Sequence, residues 1–245
     1  MTAPLFHVPT GRLAGCGVGD VVTLAGAEAH HATVKRVGVG EEVLLADGSW
    51  LLASGSVEAT GADEVRVLVR EVRDTRPPGP RFVLAQALAK GGRDEQAVES
   101  ATELGVDEVI AWQADRSIVR WKGERSAKSL AKWANLAVAA AKQSRRASIP
   151  VVSGPVDSAG LAQRVAECTT FVLHEEATEP LAGVDLPEDG EVLLIVGPEG
   201  GITPAELEAF VAAGARAVRL GSGVLRSSTA GPAALAVLSA ARRWR

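Results

Sequence analysis

EVLLIVGPEGGITPAELEAF, residues 191–210, is the stretch that decides how this chain is built. After one acid it opens with an unbroken apolar run, the pattern of a strand buried on both faces. The run ends in Gly197-Pro198-Glu199-Gly200-Gly201. A helix start follows, with Thr203 as N-cap, Pro204 at the first helical position and Glu206 spaced to close a capping box. Buried strand, tight loop and capped helix form one βα unit, and such units build parallel sheets covered by helices. Glycines let a loop turn sharply and let its backbone approach a ligand. The carboxyl ends of strands in open α/β sheets are where ligands bind. Three glycines, a proline and a carboxylate exceed the needs of an ordinary βα turn, which favours a ligand loop.

Working outward, the pattern repeats at ARAVRLGSGVLRSSTAGPAALAVLSAARR, residues 215–243. A strand ends at Leu220-Gly221, a loop follows, and an Ala-rich helix closes the stretch. Arg226 beside Ser227, Ser228 and Thr229, just before a helix start, suits an anion. The plainer alternative is that Ser228 or Thr229 caps the helix and Arg226 lies on the surface. Upstream, FVLAQAL (82–88), DEVIAWQ (107–113) and TTFVLHE (169–175) read as further buried strands. Helices are expected over 94–104, stopping at Gly105, and over 126–143, where Leu130, Trp133, Ala134, Ala137, Val138 and Ala141 recur with a helical period. The first 75 residues differ: VVTLAG, EEVLLADG and EVRVLVREV are short β-type runs broken by turn residues, which suggests a small barrel or sandwich. DTRPPGP, residues 74–80, is a stiff linker. The expected domains are therefore 1–75 and 81–245.

The chain has 245 residues, 47% hydrophobic and 23% charged, so disorder is excluded. No apolar run reaches membrane-spanning length and the start carries no signal-peptide pattern. Cys16 and Cys168 form neither a disulfide framework nor a zinc site, so the composition points to the cytoplasm. The four histidines have no metal-ligand spacing, and no metal is expected. There is no GxSxG hydrolase elbow, no GK[ST] after the glycines and no GxGxxG after a first strand. Twenty-six Lys and Arg against 30 Asp and Glu leave a net charge of −4, which argues against nonspecific coating of nucleic acid. Yet residues 116–146 hold nine basic side chains and one acid, a net +8 that leaves −12 for the rest. Such asymmetry steers a polyanion to one surface, unless it is simply a solvated helix face.

These loops resemble those of the SPOUT superfamily of S-adenosylmethionine-dependent RNA methyltransferases, and within it the RsmE family. The resemblance runs nearly end to end. It rests on His30, Val34 and Arg36 before Gly38; on ALAKGGRDEQAVESATELGV, residues 87–106; on KQSRR, residues 142–146, before Ile149-Pro150; on GPEGG; and on LGSGVLRSSTA, residues 220–230. Three departures stand out. Lys35 replaces the usual apolar residue. Ser222-Gly223 stand where the family has Pro-Arg. Ser228 replaces a Glu. Arg226 is left as the only cation of that loop.

The resemblance implies a C-terminal α/β trefoil knot with a mostly parallel sheet, preceded by a PUA-like β-barrel that helps hold RNA. It implies S-adenosylmethionine held by backbone groups of three loops: Leu173, His174 and Glu175; Gly197, Pro198, Glu199, Gly200 and Gly201; and Leu220, Gly221, Val224 and Leu225. The implied reaction is methylation of N3 of a uridine in 16S ribosomal RNA, within the small ribosomal subunit, by a homodimer. Arg226 is expected to stabilise the uracil oxygens. Glu199 is expected to be the base, its pKa raised by a partly desolvated loop, with Glu103 and Asp94 as competitors. His30, Arg36, Lys90, Arg93, Lys142, Arg145 and Arg146 are the expected RNA contacts. The rivals are a SPOUT enzyme with another base or ribose target, a non-catalytic assembly factor, and an enzyme acting on a small anionic metabolite.

Overall fold

The structure, a computed structural model, describes residues 3–244; Met1, Thr2 and Arg245, which end the two expected domains, lie outside the described residues. The chain divides into two compact units. One holds the chain up to Arg76 together with Ala141–Ile149, and the other holds Pro77–Ala140 and Pro150–Arg245.

The first unit contains β1 (Leu5–His7), β2 (Val21–Ala25), α1 (Ala27–Val34), β3 (Glu42–Ala46), β4 (Leu51–Thr60) and β5 (Glu64–Asp74). The strands form one mixed sheet in the order β1-β3-β4-β5-β2, a PUA-like half-barrel. Only the β1–β3 pair is parallel. Alternate residues of β2 and β5 turn Val22, Leu24, Val65, Val67 and Val69 into a core shared with Phe6, Leu13 and Leu45. β4, LLASGSVEAT, carries no clean alternation and escapes a reading of the sequence. Its register slips at Ser54/Gly55, where a Cβ on Gly55 would lie 2.5 Å from the Leu68 carbonyl oxygen. Only glycine fits that close approach.

A boundary drawn at one point of the sequence does not express the grouping of 141–149 with this unit. The reason is a set of polar ties. His7 Nε2 meets the Arg146 carbonyl oxygen at 3.1 Å, the Ile149 N–H donates to the Gly48 carbonyl at 3.0 Å, and Lys142 pairs with Glu28.

The second unit contains β6 (Arg81–Ala87), α2 (Arg93–Glu103), β7 (Glu108–Trp112), α3 (Glu124–Gln143, whose last turn counts with the first unit), β8 (Val151–Val156), α4 (Ser158–Val165), β9 (Thr169–Leu173), β10 (Glu179–Pro180), β11 (Glu191–Val196), α5 (Pro204–Ala212), β12 (Arg216–Arg219) and α6 (Ser227–Arg242). Its seven strands are all parallel, in the order β10-β12-β9-β11-β6-β7-β8. Alternation feeds two cores. Phe82, Leu84, Val192, Leu194 and Val196 face one, with Trp133 and Leu235; Val83, Ala85, Leu193 and Ile195 face the other, with Phe210 and Leu161. Every strand read from an apolar run is present. β8, VVSGPV, went unread because Pro155 weakens a strand pattern, and it sits at the sheet edge where proline is tolerated. No helix among the described residues is long and apolar enough to cross a membrane.

Candidate functional site

The strand order places β12, β9 and β11 side by side, so the loops after them emerge at one end of the sheet. They meet around a cleft of about 900 Å³ in the second unit. That size suits a drug-sized ligand. Its wall contains Leu173, His174 and Glu175 after β9; Gly197, Pro198, Glu199, Gly200 and Gly201 after β11; and Leu220, Gly221, Val224 and Leu225 after β12. Lys90, Arg93 and Arg226 also line it.

The Gly197–Gly201 loop is braced from within the protein. Thr203 Oγ1 accepts from the Glu206 N–H at 3.2 Å, and Glu206 Oε2 accepts from the Thr203 N–H at 2.9 Å, so the capping box is closed. The glycines answer to protein packing. A Cβ on Gly197 would lie 2.8 Å from Ile202 Cγ1, and one on Gly200 would lie 3.1 Å from Arg116 Cβ. Gly201 has φ +74°, a left-handed conformation that side chains rarely adopt. Protein packing thus adds a second reason for Gly197 and Gly200, beside the backbone approach to a ligand expected of this loop.

Glu199 departs from expectation. Arg93 Nη1 donates to Glu199 Oε1 at 2.6 Å. Burial pushes the carboxyl up, but the loop amides and the Arg93 guanidinium outweigh it and hold Glu199 below the usual carboxylate range. A raised pKa is thus replaced by a lowered one, and the group is an ionised, weak base. Its competitors lie outside the cleft lining. Asp94 is buried at the start of α2 and accepts from the Ala89 and Glu95 N–H groups; burial dominates and raises its pKa. Glu103 is exposed on the last turn of α2.

The Leu220–Arg226 loop is built differently. A Cβ on Gly221 or Gly223 would meet nothing within 4 Å. Val224 is 76% exposed. Arg226 is exposed at the N-cap position of α6, and its side chain bonds to no described residue. Neither Ser228 nor Thr229 caps this helix. Ser228 is buried, Thr229 Oγ1 donates back to the Arg226 carbonyl at 3.2 Å, and Ser227 Oγ accepts from Gln86 Nε2 at 2.9 Å. Of the three hydroxyls beside Arg226, two are thus buried rather than turned to an anion. His174 Nδ1 accepts from the Glu176 N–H at 3.3 Å, which leaves the proton of the neutral ring on Nε2.

Two lining cations carry no motif that marks them. Arg219 is the exposed last residue of β12, and Arg116 donates from Nη1 to the Gly200 carbonyl at 3.1 Å. Arg116 counted in the sequence only toward a basic stretch. That stretch is partly engaged: Lys132 pairs with Glu95, Arg120 donates to the Asp115 carbonyl, and Lys142 pairs with Glu28.

The other expected RNA contacts, His30, Arg36, Lys142, Arg145 and Arg146, belong to the first unit. His30, Arg36 and Arg145 are exposed. Arg146 is spent in part on structure, donating to Ser148 Oγ at 2.8 Å and lying 5.7 Å from the Trp50 ring centre.

Comparison with known proteins adds independent findings. The family profile described as an RNA methyltransferase domain matches residues 77–239. Ribosomal RNA small subunit methyltransferase E of Mycobacterium bovis is 43% identical, over all of this chain and 94% of that protein. A crystal structure of the protein of the same name from Neisseria gonorrhoeae, bound to S-adenosylmethionine, is 26% identical with a TM-score of 0.84, covering 98% of each chain. A Legionella pneumophila methyltransferase in complex with the same cofactor is 29% identical, with a TM-score of 0.82 over 98% of each chain.

Proposed function

The chain belongs to the RsmE family of SPOUT RNA methyltransferases, and we propose that it methylates N3 of a uridine in 16S ribosomal RNA of the small subunit, with S-adenosylmethionine as cofactor. One observation carries the reading: three loops after adjacent parallel strands surround one cleft, and Arg226, whose side chain bonds to no described residue, stands in its wall.

The residues fit the cofactor. Leu173, Val196, Ile202 and Leu220 supply apolar wall, Glu175 and Glu176 supply negative charge for a cationic ligand, and Gly221 and Gly223 leave backbone open where a Cβ would meet no protein atom. When bound, S-adenosylmethionine supplies an electrophilic methyl group on a positively charged sulfur. The protein's part is to orient the uracil and to ease loss of the N3 proton. Arg226 does this by donating to the carbonyl oxygens of the uracil as they gain charge. Glu199, ionised and tied to Arg93, is a poor proton acceptor, so it braces its loop and the proton leaves to water. Lys90 and Arg219 add positive charge to the same wall. In the first unit His30, Arg36, Lys142, Arg145 and Arg146 hold phosphates.

A trefoil knot in the second unit and a homodimer belong to the same proposal. The exposure of Val224 and Leu225 supports a second copy covering that loop, and sedimentation equilibrium tests it. The decisive experiment incubates the protein with labelled S-adenosylmethionine and unmethylated small subunits, then maps the label. N3-methyluridine at one position supports the proposal. A 2′-O-methyl group or another base sinks it in favour of a different RNA target, and cofactor binding with no transfer would make the protein a non-catalytic assembly factor.

A further inference from the structure

We propose that Arg116 is a positioning residue: it sets the Gly197–Gly201 loop for the cofactor, acting through the Gly200 carbonyl and anchored by Glu206. The inference rests on the cofactor reading above and extends it to a residue outside the glycine loops.

Arg116 lies four residues beyond the end of β7. Its Nη1 donates to the Gly200 carbonyl at 3.1 Å. The two segments also touch without the guanidinium, since a Cβ on Gly200 would stand 3.1 Å from Arg116 Cβ and 3.3 Å from its carbonyl oxygen. The peptide unit held by that bond is used at its other end too, because the Gly201 N–H donates to the Pro198 carbonyl at 2.9 Å. With both polar ends occupied, the plane of the Gly200–Gly201 peptide is fixed, and with it the turn that forms the cleft wall.

A brace works only if its own base is rigid, and the segment carrying Arg116 is tied down on three sides. Glu206, 3% exposed, is the centre. Its Oε1 accepts from the Asp115 N–H at 2.8 Å and from Ser158 Oγ at 2.6 Å, while its Oε2 accepts from the Thr203 N–H at 2.9 Å and Thr203 Oγ1 at 2.8 Å. Ser158 Oγ in turn accepts from Trp112 Nε1 at 3.2 Å. One buried carboxylate therefore joins α5, the loop after β7 and the start of α4. Arg120 Nη2 donates to the Asp115 carbonyl at 2.6 Å, and the Trp121 N–H donates to Gln113 Oε1 at 2.8 Å, closing the segment on itself. Burial pushes the Glu206 carboxyl up, yet its four donors outweigh this and keep it ionised, as a charge-assisted anchor requires.

Such a residue acts on cofactor affinity and not on the chemical step or on phosphate binding. The test uses the full-length protein. Calorimetry gives the Kd for S-adenosylmethionine, turnover is measured at saturating cofactor, and affinity for unmethylated small-subunit RNA is followed across salt. Arg116→Ala should weaken cofactor binding about tenfold, the scale of one charge-assisted hydrogen bond, with saturated turnover within about twofold and the salt slope unchanged. Arg116→Lys, which restores a single donor, should recover part of that loss. If Arg116→Ala lowers the thermal midpoint, Arg116→Met is read instead, because it keeps the packing against Gly200 and loses only the guanidinium. An unchanged cofactor Kd overturns the proposal. So does a flatter salt slope, which would make Arg116 a phosphate contact, or a collapse of saturated turnover, which would make it catalytic. The wild-type protein reports separately on the underlying reading: if it binds no S-adenosylmethionine, both fail, whereas wild-type binding with an indifferent variant sinks only this inference.

Discussion

Two glycine-bearing loops face the same cleft and are built on opposite principles. In Gly197–Gly201 the glycines are demanded by the protein, because side chains there would strike Ile202 and Arg116. Its carboxylate is paired with Arg93, its Gly200 carbonyl is held by Arg116 and its exit is locked by a capping box. In Leu220–Arg226 the glycines face open space, Val224 and Leu225 are exposed, and Arg226 bonds to no described residue. One side of the cleft is thus preorganised. The other keeps its functional groups unspent for what binds there. Preorganised walls lower the ordering cost of binding, and an uncommitted cation is the group that can answer to charge developing in a substrate.

The comparison is broken most directly at Arg226. Arg226→Ala should cut the single-turnover rate of methyl transfer about 10²- to 10³-fold, the usual loss for one donor to a developing oxyanion, with the cofactor Kd within about twofold. Unaltered transfer would take Arg226 out of the mechanism. Next comes a matched pair of glycine replacements. Gly200→Val forces a side chain onto Arg116 and should destabilise the fold by about 1–3 kcal/mol while abolishing cofactor binding in calorimetry. Gly221→Ala should leave stability within about 0.5 kcal/mol. Equal losses of thermal midpoint in the two variants would erase the distinction between the loops.

The acid limb of stability sharpens it further. Glu199 and Glu206 are both held below the ordinary carboxylate pKa of about 4.3. A depressed folded pKa adds stability that is complete above the unfolded value and is lost as pH falls through the folded one. Denaturant melts from pH 6 to pH 3 should therefore show stability falling below about pH 4.3. Arg93→Ala should reduce the fall by about 0.2–1 kcal/mol, since the Arg93–Glu199 pair is only partly shielded. An identical fall in the variant would mean the pair is idle. The smallest effect lies in the other unit. Arg145→Ala should lower the slope of log affinity against log salt by about 0.7–0.9, with no change in the rate at saturating RNA. That value is the baseline for a plain phosphate contact, against which any slope change at Arg226 is read.

Much of the architecture was legible because its causes are local. Thr203, Pro204 and Glu206 announce a helix start within four residues, and the capping box is there. Long apolar runs announce buried parallel strands, and each became one. Where a local signal is weak, legibility ends. β4 is interrupted by Gly55, whose role is to let Leu68 approach, and β8 carries a proline that only an edge position tolerates. α1, AEAHHATV, has no apolar stripe to betray it. The ties that draw 141–149 to the first unit join residues more than a hundred positions apart, such as His7 with Arg146.

The site divides along the same line. The sequence alone determined which loops end buried strands, where the helices after them begin and which residue types those loops offer. Caps, turns and hydrophobic periodicity act over a few neighbouring residues and need no knowledge of the rest of the chain. Only the tertiary structure decided that β12, β9 and β11 are neighbours, so that three loops share one cleft. It also decided which charges are spent. Arg93 and Glu199 stand 106 residues apart in the chain, yet their pairing turns an expected base into a brace, and Arg116, 84 residues from Gly200, becomes part of the same wall. Charge state depends on what lies within a few ångströms in space, and that is set by the order in which strands pack.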